Sequence, residues 1–251
     1  TTASFRGMSV VSPRVIWISG TNGTFDWTSD GGTHWHPGQV PGAEKYDFRA
    51  VQAFSLDTAV LMVSSQDTAL IYRTTDRGQT WTVRYRDTSK GAFLDALAFF
   101  DSRRGLAVGD PVNGQFVFLQ TVDGGSTWSR VDTAGIPASL PGEGAFAASG
   151  TALITCGASN VWLGTGGAAR ARVFHSSDGG RSWSVADTPI QAGAAPAGIF
   201  SLACRDARHL IAAGGNYAHP DRSQVTVASS KDSGATWLAS SPAASTGFLS
   251  G

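Results

Sequence analysis

Short stretches rich in β-branched and aromatic residues run along the whole chain, and clusters of Gly, Asn and Asp separate them. The clearest group lies in residues 48–85, where such stretches cover 48–54, 59–63, 69–74 and 81–85. Runs of four to eight such residues between turn formers are typical of β-strands. This segment therefore predicts a unit of four short strands.

The same pattern recurs in the rest of the chain. We expect equivalent first strands to begin at Phe5, at Leu94, near Thr151 and at Phe200. Two hairpin turns between second and third strands are predicted at Asn22-Gly23 and Asn113-Gly114. Asn-Gly favours the type I′ turn, in which both central residues have positive φ. The chain is thus expected to be all-β.

One eight-residue pattern, Ser/Thr-x-Asp-x-Gly-x-x-Trp, occurs five times, at 28–35, 74–81, 121–128, 176–183 and 230–237. Its aspartates are 46, 47, 55 and 54 positions apart, about the length of a four-stranded propeller blade. Asp accepts hydrogen bonds from turn amides, Gly supplies positive φ, and Trp anchors the next strand. We expect a structural role for Asp30, Trp35, Asp76, Trp81, Asp123, Trp128, Asp178, Trp183, Asp232 and Trp237.

This repeat resembles the Asp-box, or BNR, repeat of sialidase-like β-propellers. The resemblance implies four-stranded antiparallel blades, with each repeat between the third and fourth strands and away from an active centre. We expect one propeller domain over residues 1–251, with blades at about 5–40, 47–90, 93–135, 143–190 and 198–240.

Residues 247–250 repeat the register of residues 198–201, so a sixth blade is predicted to start at about 247. Five complete blades and the start of a sixth indicate part of a six- or seven-bladed ring. A closed five-bladed ring, with the last residues as a tail, is the alternative.

Composition excludes several classes of protein. The 251 residues carry 19 Lys+Arg and 19 Asp+Glu, so no basic field favours nucleic acid or an anionic membrane. No apolar run reaches the roughly 20 residues of a transmembrane helix. Only 2 of the acids are Glu and only 3 of the bases are Lys, which excludes a helical bundle with a Glu/Lys surface.

No metal or cofactor site is predicted. The five His residues are scattered, and the Gly-rich segment 164–167 lacks the Lys-Ser/Thr of a P-loop. Cys156 and Cys204 have no zinc-ligand spacing. They lie near the ends of equivalent strands in adjacent blades, so either a disulfide between blades or two separately buried thiols fits.

The parity of the strands predicts a functional face. In an up-and-down blade, the loop between strands two and three and the link to the next blade emerge on the same side. The longest and most Gly-rich of these segments are 41–47, 110–114, 142–143, 164–170 and 214–222. Loops on a rigid scaffold are where binding residues usually lie.

One position in the first strand of each blade is occupied by Arg6, Arg49 and Asp95 in the first three blades. Ser201 occupies it in the fifth blade. We expect this position to face the central channel. Two interpretations remain open: an ion-pair network between blades, or recognition of an anion by guanidinium groups.

A partial resemblance to sialidases implies arginines that hold a substrate carboxylate, a Tyr nucleophile supported by Glu, and an Asp acid. The residues available for these roles are Arg6, Arg49, Asp47, Asp95, Glu143 and Tyr217. The matching hypothesis is a glycoside hydrolase that acts on an anionic sugar.

A closer overall resemblance is to the bacterial propellers grouped with the photosystem II stability/assembly factors. It is carried by segments 47–54, 93–101, 105–114, 142–153, 162–174 and 198–209. It implies a non-catalytic propeller that docks onto a partner protein. We expect a non-catalytic scaffold that binds a protein or carbohydrate partner on its loop-rich face. The expected binding residues are Arg6, Arg49, Asp95, Asp110, Arg170, Arg172 and Tyr217. No signal peptide is recognisable, and we expect a secreted or periplasmic protein whose leader is not in this sequence.

Overall fold

The computed structural model describes residues 2–147, 150–222 and 225–240. Across these residues the chain forms twenty β-strands and two short 3-10 helices, Thr133–Gly135 and Pro220–Arg222. Strands with the expected β-branched and aromatic residues make up five four-stranded antiparallel sheets. The all-β propeller architecture predicted from the repeat is confirmed.

Each sheet takes four consecutive strands in chain order. The first contains β1 (Phe5–Val10), β2 (Ile16–Gly20), β3 (Thr24–Thr28) and β4 (His36–Gln39). The second contains β5 (Phe48–Ala53), β6 (Ala59–Ser65), β7 (Thr68–Thr74) and β8 (Thr82–Asp87). The third contains β9 (Ala96–Phe99), β10 (Gly105–Val112), β11 (Gln115–Thr121) and β12 (Ser129–Arg130). The fourth contains β13 (Leu153–Cys156), β14 (Asn160–Gly164), β15 (Arg172–Ser176) and β16 (Ser184–Asp187). The fifth contains β17 (Ala197–Cys204), β18 (Leu210–Asn216), β19 (Val227–Ser230) and β20 (Leu238–Ser240).

The chain divides into two compact units. Of the described residues, those within 1–107 and 119–129 form the first unit, and those within 108–118 and 130–251 form the second. The first two sheets lie wholly in the first unit and the last two in the second. The expectation of one domain over 1–251 stays a prediction, and the expected start of a sixth blade near 247 lies outside the described residues.

Aromatic side chains hold neighbouring sheets together within each unit. In the first unit, Trp81 of the second sheet packs edge-on against Phe25, with ring centroids 5.1 Å apart, and against Trp17 at 6.3 Å. In the second unit, Trp162 of the fourth sheet is fully buried, and its indole N–H donates to the Ser233 carbonyl at 2.9 Å. The core of each unit therefore lies between sheet faces.

The five repeated turns, at the positions of the Ser/Thr-x-Asp-x-Gly-x-x-Trp pattern, share one set of hydrogen bonds. In each turn one Asp oxygen accepts from the backbone N–H four residues later, at 2.9–3.0 Å. The first Ser/Thr hydroxyl donates to the same oxygen at 2.7–2.9 Å. That hydroxyl also accepts from the Gly N–H four residues on. The turns connect the third and fourth strands, as predicted. Their hydrogen bonds occupy the Asp carboxylates.

The pKa of each turn carboxylate is lowered. Hydrogen bonds lower the pKa of Asp30, Asp76 and Asp232, for Asp232 to about 2. Burial is the largest single effect on the pKa of Asp123 and Asp178 and raises it, but their combined hydrogen bonds outweigh it. The folded protein therefore prefers these groups ionised.

The predicted strand limits agree best in the second sheet, where all four strands lie within two residues of their expected ends. Asn22-Gly23 and Asn113-Gly114 have positive φ at both residues, as the predicted hairpin turns require. The first strand of the fifth sheet begins at Ala197, three residues before the predicted Phe200.

The register of the fifth sheet also differs from the prediction. Bulges fall between Phe5 and Gly7, between Phe48 and Ala50, and between Ile199 and Ser201. The extra residues are Arg6, Arg49 and Phe200. Phe200, and not Ser201, is therefore the counterpart of the two arginines, because sequence spacing alone does not reveal a bulge.

Cys156 at the end of β13 and Cys204 at the end of β17 form a disulfide. Of the two alternatives that the sequence left open, the structure has the cross-link between sheets. Both cysteines belong to the second unit. No helix in the described part of the chain is long and apolar enough to cross a membrane.

Removal of the disulfide should destabilise the second unit. The bond closes a loop between residues 48 positions apart, and its loss restores chain entropy to the unfolded state. We expect the double variant Cys156→Ser/Cys204→Ser to lose about 3–4 kcal/mol in urea unfolding. Dithiothreitol should lower the stability of the wild type and leave the variant unchanged. Equal stability of the oxidised wild type and the variant would contradict this prediction.

The turn carboxylates predict loss of stability in acid. Their folded-state pKa lies below the unfolded value of about 3.9, so their contribution is complete above pH ~4 and is lost as pH falls towards the folded pKa. The unfolding free energy measured in urea should fall less steeply between pH 4 and pH 2 in Asp178→Asn than in the wild type. Asp57→Asn is the control, because Asp57 is exposed and forms a surface ion pair with Arg77, which contributes little to stability. Identical slopes for Asp178→Asn and the wild type would refute this account.

Candidate functional site

A pocket of about 350 Å³ opens in the second unit. Its lining comes from three kinds of segment: the end of β10, the links that lead into β13 and β17, and the loop between β14 and β15. Of these segments, 110–114, 142–143 and 164–170 were predicted to emerge on one side of the blades. The lining includes Asp110, Gly142, Glu143, Gly144, Phe146, Gly166, Gly167 and Ala195.

Close contact between backbones forms one wall of the pocket. Gly144 and Gly166 exchange two N–H to carbonyl hydrogen bonds of 3.0 Å, and Gly166 also forms a bridge with Gly198. A Cβ on Gly166 would lie 2.5 Å from the Ala197 carbonyl oxygen and 2.5 Å from the Gly198 Cα. Glycine is therefore required at 166 for three chain segments to meet here.

A buried ion pair supports this wall. Nε and Nη2 of Arg172 donate to the two oxygens of Glu143, which also accept from the Thr165 hydroxyl at 2.6 Å and the Leu140 N–H at 2.8 Å. The Glu143 side chain is 0% exposed and that of Arg172 is 10% exposed. Arg172 also donates to the Ala138 carbonyl at 3.0 Å. The four bonds fill the acceptor positions of the Glu143 carboxylate.

This arrangement corrects two expectations. Arg172 was expected to bind a partner at the surface, but its guanidinium is directed inward and bound to Glu143. Glu143 was a candidate to support a Tyr nucleophile, but its oxygens are already occupied. The sequence spacing of 29 residues between the two gave no signal of their pairing.

Asp110 is the other acid of the pocket. Burial raises the pKa of its carboxyl, and a hydrogen bond from the Ala145 N–H partly opposes that rise. A Cβ on Gly144 would lie 2.7 Å from Asp110 Oδ1, so the missing side chain at 144 makes room for the carboxylate. Asp110 is thus a partly desolvated acid at the wall of an open pocket.

Three aromatic side chains gather beside the pocket. The Phe146 ring lies 4.8 Å from that of Phe200 and 6.4 Å from that of Tyr217, and Phe200 and Tyr217 are 6.1 Å apart. Tyr217 is 56% exposed. Sequence reasoning selected Tyr217 alone. Phe146 sits in a Gly/Ala-rich link without strand periodicity, and the bulge at Phe200 was not visible in the sequence.

The remaining predicted residues lie elsewhere. Arg6 is exposed, Arg49 is 3.9 Å from Asp47, and Asp95 is buried, all in the first unit. Arg170 is an exposed residue of the second unit and pairs with Asp187 at 2.7 Å. Within the described ranges, no group of three His, Cys, Asp or Glu side chains could hold a metal ion.

The buried pair predicts a large effect of neutralising Glu143. In Glu143→Gln, the Arg172 guanidinium stays buried without its counter-charge, which costs about 3–5 kcal/mol in unfolding free energy. The other glutamate of the chain supplies the control. Glu44 is exposed and accepts from the Gly42 N–H, so Glu44→Gln should change stability by less than about 0.5 kcal/mol. Similar values for the two variants in urea unfolding would contradict the assigned role of the pair.

Comparison with protein-family models and with curated proteins yields no match. Among solved structures, an ancestral GH74 enzyme aligns over 94% of this chain and 31% of its own, with 14% identity and a TM-score of 0.61. The GH74 enzyme of Niastella koreensis aligns over 95% of this chain and 31% of its own, with 15% identity and a TM-score of 0.55. The chain thus spans under a third of the length of these enzymes.

A structure of YCF48 bound to a D1 peptide aligns over 95% of this chain and 82% of its own, with 19% identity and a TM-score of 0.46. The low identities of the GH74 enzymes show a common fold alone. The chain is a β-propeller protein, and this fold does not by itself specify a function.

Proposed function

We propose that this protein is a non-catalytic binding propeller that recognises an exposed segment of a partner protein. The binding region is the aromatic pocket surface, defined here as the pocket together with Phe146, Phe200 and Tyr217. The exposure of Tyr217 on top of two packed aromatic rings is the observation that carries the proposal. An exposed aromatic side chain that is positioned by packing against its neighbours is typical of an interface anchor.

The shape of the pocket favours an extended chain. Glycines at 142, 144, 166 and 167 add no side chains to its wall, which leaves room for an extended peptide segment. The bridges between Gly144, Gly166 and Gly198 and the Glu143–Arg172 pair hold this wall in place before any partner arrives. A preorganised surface loses little conformational entropy on binding.

The hydrogen bonds that the two glutamates already accept disfavour the alternative function, a sialidase-like hydrolase. That mechanism requires a glutamate to support a Tyr nucleophile, and the chain has only two glutamates. Glu143 is saturated by Arg172, Thr165 and Leu140, and Glu44 accepts from Gly42 in an exposed turn. Arg6 and Arg49, the candidate arginines for an anionic sugar, belong to the first unit.

The disulfide supports an oxidising compartment. Structural disulfides persist mainly in secreted and periplasmic proteins, because cytosolic thiols are kept reduced. The Cys156–Cys204 bond therefore supports secretion or export to a periplasm as the setting in which a partner is met.

A random-peptide display selection against the full chain tests the proposal. We expect selected peptides to bind Tyr217→Ala at least about tenfold more weakly, since loss of an interface anchor commonly costs 1.4 kcal/mol or more. Leu238→Ala is the control, because Leu238 is also a large exposed apolar residue of the second unit but lies in β20. Its affinity should equal that of the wild type in fluorescence polarisation.

Three results would overturn the proposal. Peptides that bind Tyr217→Ala and the wild type equally would remove the aromatic pocket surface as the binding region. Turnover of fluorogenic sialosides or other glycosides by the wild type, lost in Arg6→Ala, would establish the hydrolase. If the protein bound glycans on an array and this binding required Tyr217, the partner would be a carbohydrate and not a protein.

A further inference from the structure

We propose that the pocket accepts a positively charged side chain, arginine or lysine, of the bound partner segment, with the Asp110 carboxylate as its counter-ion. This inference rests on the proposed function, because the partner segment delivers the side chain. It adds the chemical class that the pocket selects.

The formal charge of the pocket comes from two acids. Its ionisable lining residues are Asp110 and Glu143. Arg172 already neutralises Glu143, so Asp110 supplies the remaining formal charge. Burial raises the pKa of Asp110, which means that its charged form lacks part of the solvation it would have in water. A cation in the pocket would compensate that loss and favour the carboxylate.

The backbone of the pocket adds further acceptors. A Cβ on Gly167 would lie 2.7 Å from the Gly142 carbonyl oxygen and 3.7 Å from that of Ala195. Both oxygens thus lie next to the space that a side chain at 167 would fill. Guanidinium and ammonium groups donate hydrogen bonds and accept none, so a lining of carboxylate and carbonyl oxygens suits them.

The Phe146 ring completes the site for the apolar part of such a side chain. It lines the pocket, and its Cε2 atom would lie 2.8 Å from a Cβ on Gly166 and 2.9 Å from one on Gly198. The ring is therefore seated directly on two glycine backbones. Arg and Lys combine an alkyl stem with a charged head, and an aromatic ring can contact either part. A pocket of about 350 Å³ has room for one such side chain.

NMR titration of the ¹⁵N-labelled full chain with two small compounds tests this inference. Nα-acetyl-arginine amide carries the guanidinium, and Nα-acetyl-citrulline amide has nearly the same shape without charge. We expect saturable shifts of the amide signals of Gly144, Gly166 and Gly167 with the arginine compound alone. Asp110→Asn should weaken that binding about tenfold or more. Asp57→Asn makes the same charge change in the first unit and should leave the affinity unchanged.

Equal shifts from the arginine and citrulline compounds, or none from either, would overturn the inference. This comparison uses the wild type, so it stands even if Asp110→Asn does not fold. Arginine binding that is equal in the wild type and in folded Asp110→Asn would also overturn it. Peptides that depend on Tyr217 but lack any enrichment of Arg or Lys would defeat this inference and leave the proposed function intact. Peptides that bind Tyr217→Ala as tightly as the wild type would instead contradict the proposed function.

Discussion

Packing of one sheet face on the next is the constraint on which this structure depends. A four-stranded sheet alone cannot bury both of its faces, so each blade needs a neighbour. Tryptophan supplies much of the contact, as Trp81 does against Trp17 and Phe25. The repeated turn places a Trp directly before the fourth strand of each sheet, and its Asp closes the turn with hydrogen bonds. Local turn chemistry and packing between sheets are thus encoded together.

The same constraint accounts for the position of the candidate site. With the strands held in packed sheets, the connecting loops meet at the sheet ends, and glycine lets their backbones touch at Gly144, Gly166 and Gly198. Close contact leaves little room for solvent around charged groups. Glu143 is therefore paired with Arg172, whereas Asp110 remains at the open wall of the pocket. The difference between these two acids is the basis of the proposed ligand preference.

Several of the acidic side chains already have structural roles. Each repeated turn uses its Asp carboxylate in hydrogen bonds within the turn that joins the third and fourth strands. One of the two glutamates is saturated within the interior. An exposed tyrosine supported by two phenylalanines, next to a pocket with one partly desolvated acid, is the basis of the proposed binding role.

The sequence by itself determined the all-β architecture, the four-strand unit and the place of the repeated turns, because strand periodicity and turn chemistry act over a few residues. It also indicated the loops of the candidate site and Tyr217, since strand parity assigns loops to a side. Only the tertiary structure decided that Arg172 faces Glu143, that Cys156 joins Cys204, and that Phe200 occupies the bulge. These outcomes depend on contacts between residues 29 to 48 positions apart and on a one-residue shift of register. Spacing along the chain does not specify either, because side-chain direction and close approach are set only when the sheets pack.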